Sequence, residues 1–278
     1  MLGSIWNTAS QAYRLWDALR RTSLVWLLDP CHPLLRILRA KTLGTYHHSL
    51  AVGSLSEAAT LRIGADARLV RVGALYHDIG KTRRPAFFGE NGLPTPHDRL
   101  DPTTSARYII DHVADGVAMA QAHGLPHVVQ DLIAQHHGTS RVSFFYHKAM
   151  AAGQSVSDTL FRYPGPRPRT PEAGILMLAD IVEAAVRASH PAGGGALAAM
   201  IRWLTDKPWA EGQLAESGLG RTDLHEIRAT FLESLESIYH TRIAYPVPVD
   251  RPSLAQHRRM WVAGRQAVAS VSEAITSA

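Results

Sequence analysis

Tyr76-His77-Asp78-Ile79-Gly80-Lys81 sets an imidazole beside a carboxylate at the end of an apolar segment with helical periodicity. Leu69, Gly73, Tyr76 and His77 fall on one face of that segment, so His77 points where the apolar residues point. Gly80 is expected to end the helix. A single turn therefore offers one nitrogen ligand and one ligand with two oxygens. A carboxylate can span two cations; a neutral imidazole cannot. A His-Asp dipeptide is commonplace, so its meaning depends on what else faces the same interior.

Several other polar residues do. In Gln135-His136-His137-Gly138 both histidines continue an apolar face, His136 after Val128 and Leu132, His137 after Val129 and Ile133. Burying two imidazoles costs free energy unless something satisfies them. A metal would, and so would hydrogen bonds at a helix C-terminus, where positive charge is favourable. His112 lies inside a stripe of Ile109, Val113, Val117 and Ala120. Asp180 interrupts Leu176-Met177-Leu178-Ala179-Asp180-Ile181-Val182, and a carboxylate in such a run is seldom buried without a partner. His48 stands one helical turn before Val52. Each of these alone is an ordinary satisfied core residue. Together, on separate helices, they are candidate metal ligands.

The periodicity is helical nearly everywhere, and strand-like alternation is scarcely present, so the expected fold is all-α. Helices are expected at about 4–20, 33–40, 45–63, 66–79, 103–123, 126–137, 141–152, 171–189, 194–204, 222–241 and 252–275. Two stretches read as loops: 81–102, rich in proline and glycine, and Arg162–Pro171, which runs RYPGPRPRTP. Their basic residues, Lys81, Arg83, Arg84 and Arg99 in one and Arg162, Arg167 and Arg169 in the other, suit the rim of a phosphate-binding cleft or plain solvated loops.

The whole chain has 278 residues, 46% apolar and 19% charged, which is ordinary globular composition and excludes a disordered protein. A net charge of +5 suits an anionic ligand, yet no nucleic-acid-binding motif accompanies it, so a nucleic-acid polymer is not the expected partner. One cysteine, Cys31, allows no internal disulfide and fits a reducing cytoplasm. No run approaches the roughly 18 apolar residues that a membrane span needs. Residues 1–21 place Asp17 and Arg20-Arg21 wrongly for a signal peptide and read as an amphipathic docking helix.

Read in order, His48, His77-Asp78 and Asp180 resemble the H…HD…D signature of the HD phosphohydrolase superfamily, and His112, His136 and His137 match its two-metal branch. Longer strings narrow the resemblance. HPLLR (32–36), GTYHHSL (44–50), YHDIGK (76–81), PHD (96–98), HHGTS (136–140), FFYHKA (144–149), FRYPGP (161–166), MLADIVEAAVR (177–187) and IYHTRIAYP (238–246) are similar to the cytoplasmic catalytic domain of PgpH-type, seven-transmembrane HD cyclic-di-AMP phosphodiesterases. The related HD-GYP enzymes would carry a Gly-Tyr-Pro element after the histidine pair, where this chain has HHGTS. The membrane and extracellular regions of the family have no counterpart here, so the chain is expected to be a soluble, cytoplasmic version or a catalytic domain alone.

The resemblance divides the chain into an N-terminal helical extension (1–28), an HD phosphohydrolase domain (29–246) and a C-terminal helical extension (247–278). It implies two divalent transition-metal ions, manganese or iron, which suit mixed nitrogen and oxygen ligands better than magnesium does. His48, His77, Asp78 and Asp180 would hold one ion, and Asp78, His112, His136 and His137 the other, with Asp78 bridging. The implied reaction is hydrolysis of cyclic di-AMP to linear 5′-pApA by a metal-bridging hydroxide, with Asp78 and Lys81 as catalytic residues. Lys81, Arg187, His97, Tyr146 and His147 are the expected substrate contacts, though His97, Tyr146 and His147, together with His47, could equally be groups that orient the metal ligands. The ligand set equally serves an HD phosphohydrolase of cyclic di-GMP, a linear dinucleotide, a nucleoside phosphate or an alarmone. A non-catalytic nucleotide sensor would be expected to have lost ligands, and all seven are present.

Overall fold

Prolines and short polar side chains mark where the helices begin. Pro33, Pro102 and Pro171 each occupy a first helical turn, where the missing N–H would have no partner in any case. Asp66, Asp101 and Thr170 cap the following turns by accepting from the backbone N–H of Leu69, Thr104 and Ala173. The computed structural model describes residues 24–240, and those up to Ile238 belong to one unit. The expected helices 4–20 and 252–275, and the whole of the 247–278 extension, lie outside the described residues.

The longer helices are α1 (Pro33–Lys41), α2 (Leu43–Ile63), α3 (Ala67–Tyr76), α4 (Pro102–Ala122), α5 (His127–Gln135), α6 (Ser143–Ala151), α7 (Pro171–Ser189), α8 (Gly194–Ala210) and α9 (Arg221–His240). Among the described residues there is no strand, only one isolated antiparallel bridge between Arg141 and Arg162. α7 is the centre of the core: every residue from Ala173 to Asp180 is buried, as expected of a helix apolar on all sides. α2, α3, α5 and α8 pack against it, and α4 packs against α5 and α6. A satellite cluster of Ala106, Phe145, Ala149 and Phe161 fills the space beneath α6.

Two expectations need correction. The helix of His77 stops at Tyr76, and the chain continues as a 3-10 turn, Ile79–Arg83. Gly80 is therefore no helix cap. A Cβ there would stand 1.9 Å from the backbone oxygen of His112 and 2.6 Å from the backbone nitrogen of Gly116. The residue is glycine because the turn lies directly on the backbone of α4. Likewise the stretch 81–102 is not plain loop. Four 3-10 turns (Ile79–Arg83, Pro85–Phe87, Gly89–Asn91 and Pro96–Arg99) fold it back over the helices. Its third turn sits on the start of α2, where a Cβ on Gly44 would meet the carbonyl oxygen of Glu90 at 1.9 Å.

Much of the loop charge is spent within the fold. Arg84 pairs with Asp115 at 2.7 Å, Arg141 with Asp158 at 2.8 Å, and Arg162 also bonds Asp158. Of the loop residues that suit either an anion rim or solvated loops, Arg84 and Arg162 are thus fasteners between turns and helices.

Candidate metal centre

Four histidines solve the same local problem. His77, His112 and His136 each donate Nδ1–H to the carbonyl oxygen three residues earlier: Ala74 at 2.7 Å, Ile109 at 2.5 Å and Ile133 at 2.7 Å. His48 makes the same use of Nδ1 toward the carboxylate of Glu183. A carbonyl can only accept, so in each of the first three rings Nδ1 carries a proton and Nε2 is turned inward. His77 and His136 can bond in this way because each immediately follows a helix end.

The inward atoms converge. Asp78 Oδ2 lies 3.6 Å from His48 Nε2 and 3.2 Å from His77 Nε2. The other oxygen, Oδ1, lies 3.2 Å from His112 Nε2 and 3.8 Å from His136 Nε2. Asp180 straddles the group in the same sense. Its Oδ1 is 2.9 Å from His48 Nε2 and 3.7 Å from His77 Nε2, and its Oδ2 is 3.6 Å from His137 Nδ1. Three sets of possible ligands emerge: His48, His77 and Asp78; His112, His136 and His137; and His77, His136 and Asp180.

The donor set fits divalent cations. Both oxygens of Asp78 and Nε2 of His77 are buried and lack any hydrogen bond of acceptable geometry, a cost that is seldom left standing in a core. Electrostatics point the same way. Burial works against ionising Asp78 and Asp180, yet His77 and Lys81 hold the first, and His48 and His77 the second, well below the usual carboxylate range. Burial, reinforced by neighbouring histidines, keeps His136 well below its ordinary value. Burial also brings His137 down to about 3. Both are thus neutral, as metal ligands must be. Burial opposes a charge on His77, but Asp78 and Asp180 raise it to about 10, so a cation bound there would displace a proton.

Three residues complete the site that the sequence did not single out. Glu183, one turn after Asp180, is buried and joins His48 to Arg187, whose Nε lies 3.1 Å from Glu183 Oε1. A second carboxylate at i+3 in the same apolar run was the available signal. Glu90 holds Lys81 at 2.9 Å and accepts from the Thr45 hydroxyl at 3.0 Å. No local pattern marks Glu90, because it meets Lys81 only after the loop folds back. Tyr163 stacks on His137, with ring centroids 4.2 Å apart. Burial is the main reason its phenol pKa is raised, so the hydroxyl stays neutral.

The structure therefore brings together His48, His77, Asp78, His112, His136, His137 and Asp180, with Lys81 Nζ 2.8 Å from Asp78 Oδ2. It sets the remaining candidates elsewhere. Arg187 meets the centre only through Glu183. His97 bonds the carbonyl of Phe87 at 2.9 Å and packs against Phe145. Tyr146 lies under the Arg141 guanidinium and packs on Phe161. His147 is exposed with its ring against Tyr146, and His47 is exposed on α2.

Comparison with known proteins accords with this arrangement. The HD domain family matches residues 45–185. The chain is 44% identical over 225 residues to "Cyclic-di-AMP phosphodiesterase PgpH" of Bacillus subtilis, covering 80% of this chain and 32% of that protein. It is 41% identical over 234 residues to the protein of the same name from Listeria monocytogenes, covering 84% of this chain and 33% of that one. The chain thus spans about a third of the length of the curated relatives it matches. A crystal structure of the L. monocytogenes phosphodiesterase PgpH HD domain in complex with cyclic-di-AMP superimposes with a TM-score of 0.74. It is 41% identical, and the match covers 77% of this chain and 100% of that one.

Proposed function

The chain belongs to the HD domain family, and from that membership we propose that it is a metal-dependent phosphodiesterase opening cyclic di-AMP to the linear dinucleotide with a 5′-phosphate. The observation that carries this reading is the position of Asp78, buried, with one oxygen toward His48 and His77 and the other toward His112 and His136. Adenine as the base is supported by the relatives' names and by the solved domain with cyclic-di-AMP bound.

In this reading His48, His77, Asp78 and Asp180 hold one cation and Asp78, His112, His136 and His137 the other, manganese or iron. Two divalent cations, when bound, lower the pKa of water and polarise a phosphoryl group. The protein's own residues do the rest. The Nδ1 hydrogen bonds hold the rings, which otherwise would turn about their side-chain bonds. Two carboxylates leave a pair of divalent cations with net positive charge, so an anionic diester is favoured over a neutral ligand. Burial disfavours a charged Lys81, but Asp78 and Glu90 outweigh it and keep the ammonium protonated beside the place where a phosphate oxygen would lie. Tyr163 covers His137 by stacking on its ring.

The test is a product assay. Manganese- or iron-loaded protein is incubated with cyclic di-AMP and with cyclic di-GMP, and the products are separated. We expect the linear adenine dinucleotide to accumulate before any mononucleotide, and cyclic di-GMP to be opened more slowly. A preference for cyclic di-GMP, or action on neither beside brisk hydrolysis of a mononucleotide, overturns the substrate assignment and leaves the family standing.

A further inference from the structure

Beside His137 the surface opens into a cavity of about 290 Å³, too small for a whole cyclic dinucleotide and of the right order for one heterocycle. Its walls come from α7 and α8. Met177 and Ile181 face it from one helix and Trp203, Leu204 and Lys207 from the other, while His137 and Tyr163 join it to the metal centre. The walls are mostly apolar. The deepest polar side chain, Gln213, is already used: its Oε1 accepts from the Thr139 N–H at 2.9 Å and its amide donates to the Thr139 hydroxyl at 3.1 Å. The most buried polar side chain of the lining therefore has no free group with which to select a charged one, and Arg141 is paired with Asp158.

Two features specify what would fill it. Trp203 stands at the rim with 67% of its surface exposed, a large flat ring left in water beside an apolar slot. Tyr163 continues from the other side, its ring stacked on the ligand His137 with an interplanar angle of 30°. A phosphate held at the centre thus has beside it, past His137 and Tyr163, an apolar slot with an aromatic ring at its rim. Lys207 and, one turn on, Glu211 also line the cavity. The geometry points to this cavity as a nucleobase subsite, gripping one base of the substrate by stacking against Trp203 while the attached phosphate lies at the metal centre. The inference rests on the phosphodiesterase reading for where the phosphate goes, and its test is arranged to separate the two.

Metal-loaded protein is titrated calorimetrically with adenosine 5′-monophosphate and with ribose 5-phosphate, which is the same ligand without its base. In the wild type the nucleotide should bind at least about tenfold more tightly, the usual worth of base–aromatic stacking. Trp203→Ala should remove most of that advantage and leave ribose 5-phosphate binding unchanged, which also shows that the variant is folded. Trp203→Phe should retain most of it. Equal binding of the two ligands by the wild type overturns the subsite, and so does an undiminished advantage in Trp203→Ala. A parallel loss of both ligands in Trp203→Ala also overturns it, since the effect then lies at the phosphate. Should the stacking result hold in a protein that leaves cyclic di-AMP intact, the base subsite stands and the substrate assignment falls. Failure of both ligands to bind overturns the subsite, and the product assay then decides the substrate assignment by itself.

Discussion

His48 differs from the other inward-facing histidines in what orients it. Three of the rings are held by backbone carbonyls, which no substitution removes; His48 depends on the side chain of Glu183. A carboxylate at Nδ1 fixes the tautomer and makes Nε2 a better donor to a cation. Glu183→Gln should therefore weaken metal binding by about ten- to a hundredfold, read by competition against a chelator, with the helical fold unchanged. Metal affinity equal to that of the wild type would remove Glu183 from the site. Arg187, 42% exposed at its side chain, should matter much less, because solvent screens its pair with Glu183. Lys81 is a separate case. It lies between Asp78 and Glu90, and its proposed task is to hold a phosphate oxygen. Lys81→Ala should keep bound metal and lose about a hundredfold in turnover, with metal content and rate measured on the same sample. Normal turnover would exclude that task. The seven converging residues were legible in the sequence, Asp78 as the carboxylate beside His77 and the other six as polar residues continuing apolar faces. Glu90 and Tyr163 were not, since what defines them is contact across the fold.

At the scale of elements the helices were largely readable because apolar periodicity and capping residues are local signals. The segment 171–189 was expected as a helix and is one, and α1, α2, α4 and α9 differ from expectation by only a residue or two at their ends. α8 runs on to Ala210, past the expected end at 204, with Pro208 in its last turn. That proline lacks an N–H, but the helix end is still closed by the Glu211 N–H donating to the Lys207 carbonyl oxygen at 2.9 Å. The junction after α3 was misread for a different reason. The need for glycine at 80 comes from α4, more than thirty residues downstream, and leaves no trace in the local pattern. Gly80→Ala puts a methyl group onto the His112 carbonyl, and backbone on both sides leaves little room to relax. We expect a loss of about 3 kcal/mol or more in denaturant unfolding. Metal binding should fall as well, because the same contact sets Asp78 against His112. A variant as stable as the wild type would mean that the turn can lift off α4.

Across the whole molecule, the candidate ligands come from separate places in the chain: α2, the turn after α3, α4, the turn after α5, and α7. The family match at 45–185 spans all seven candidate ligands. Among the described residues no helix is long and apolar enough to cross a membrane. The main core, from Leu24 to Leu235, is one continuous apolar cluster, so the fold should not need cations in order to form. Cations should nevertheless stabilise it, since they bind ligands assembled only in the folded state. At free metal a thousandfold above Kd the gain is about 4 kcal/mol for one site. For a domain of this size that corresponds to a rise in Tm of roughly 8–16 °C. Removing metal with a chelator should therefore lower the melting temperature by that order while leaving the helical circular dichroism at 25 °C intact, and adding manganese back should restore it. The apoprotein would be expected to keep its core and lose only the cross-links between elements. A melting temperature that ignores chelation would mean that the seven residues do not hold cations in the folded protein. Loss of helix on chelation would mean that the core alone does not carry the fold.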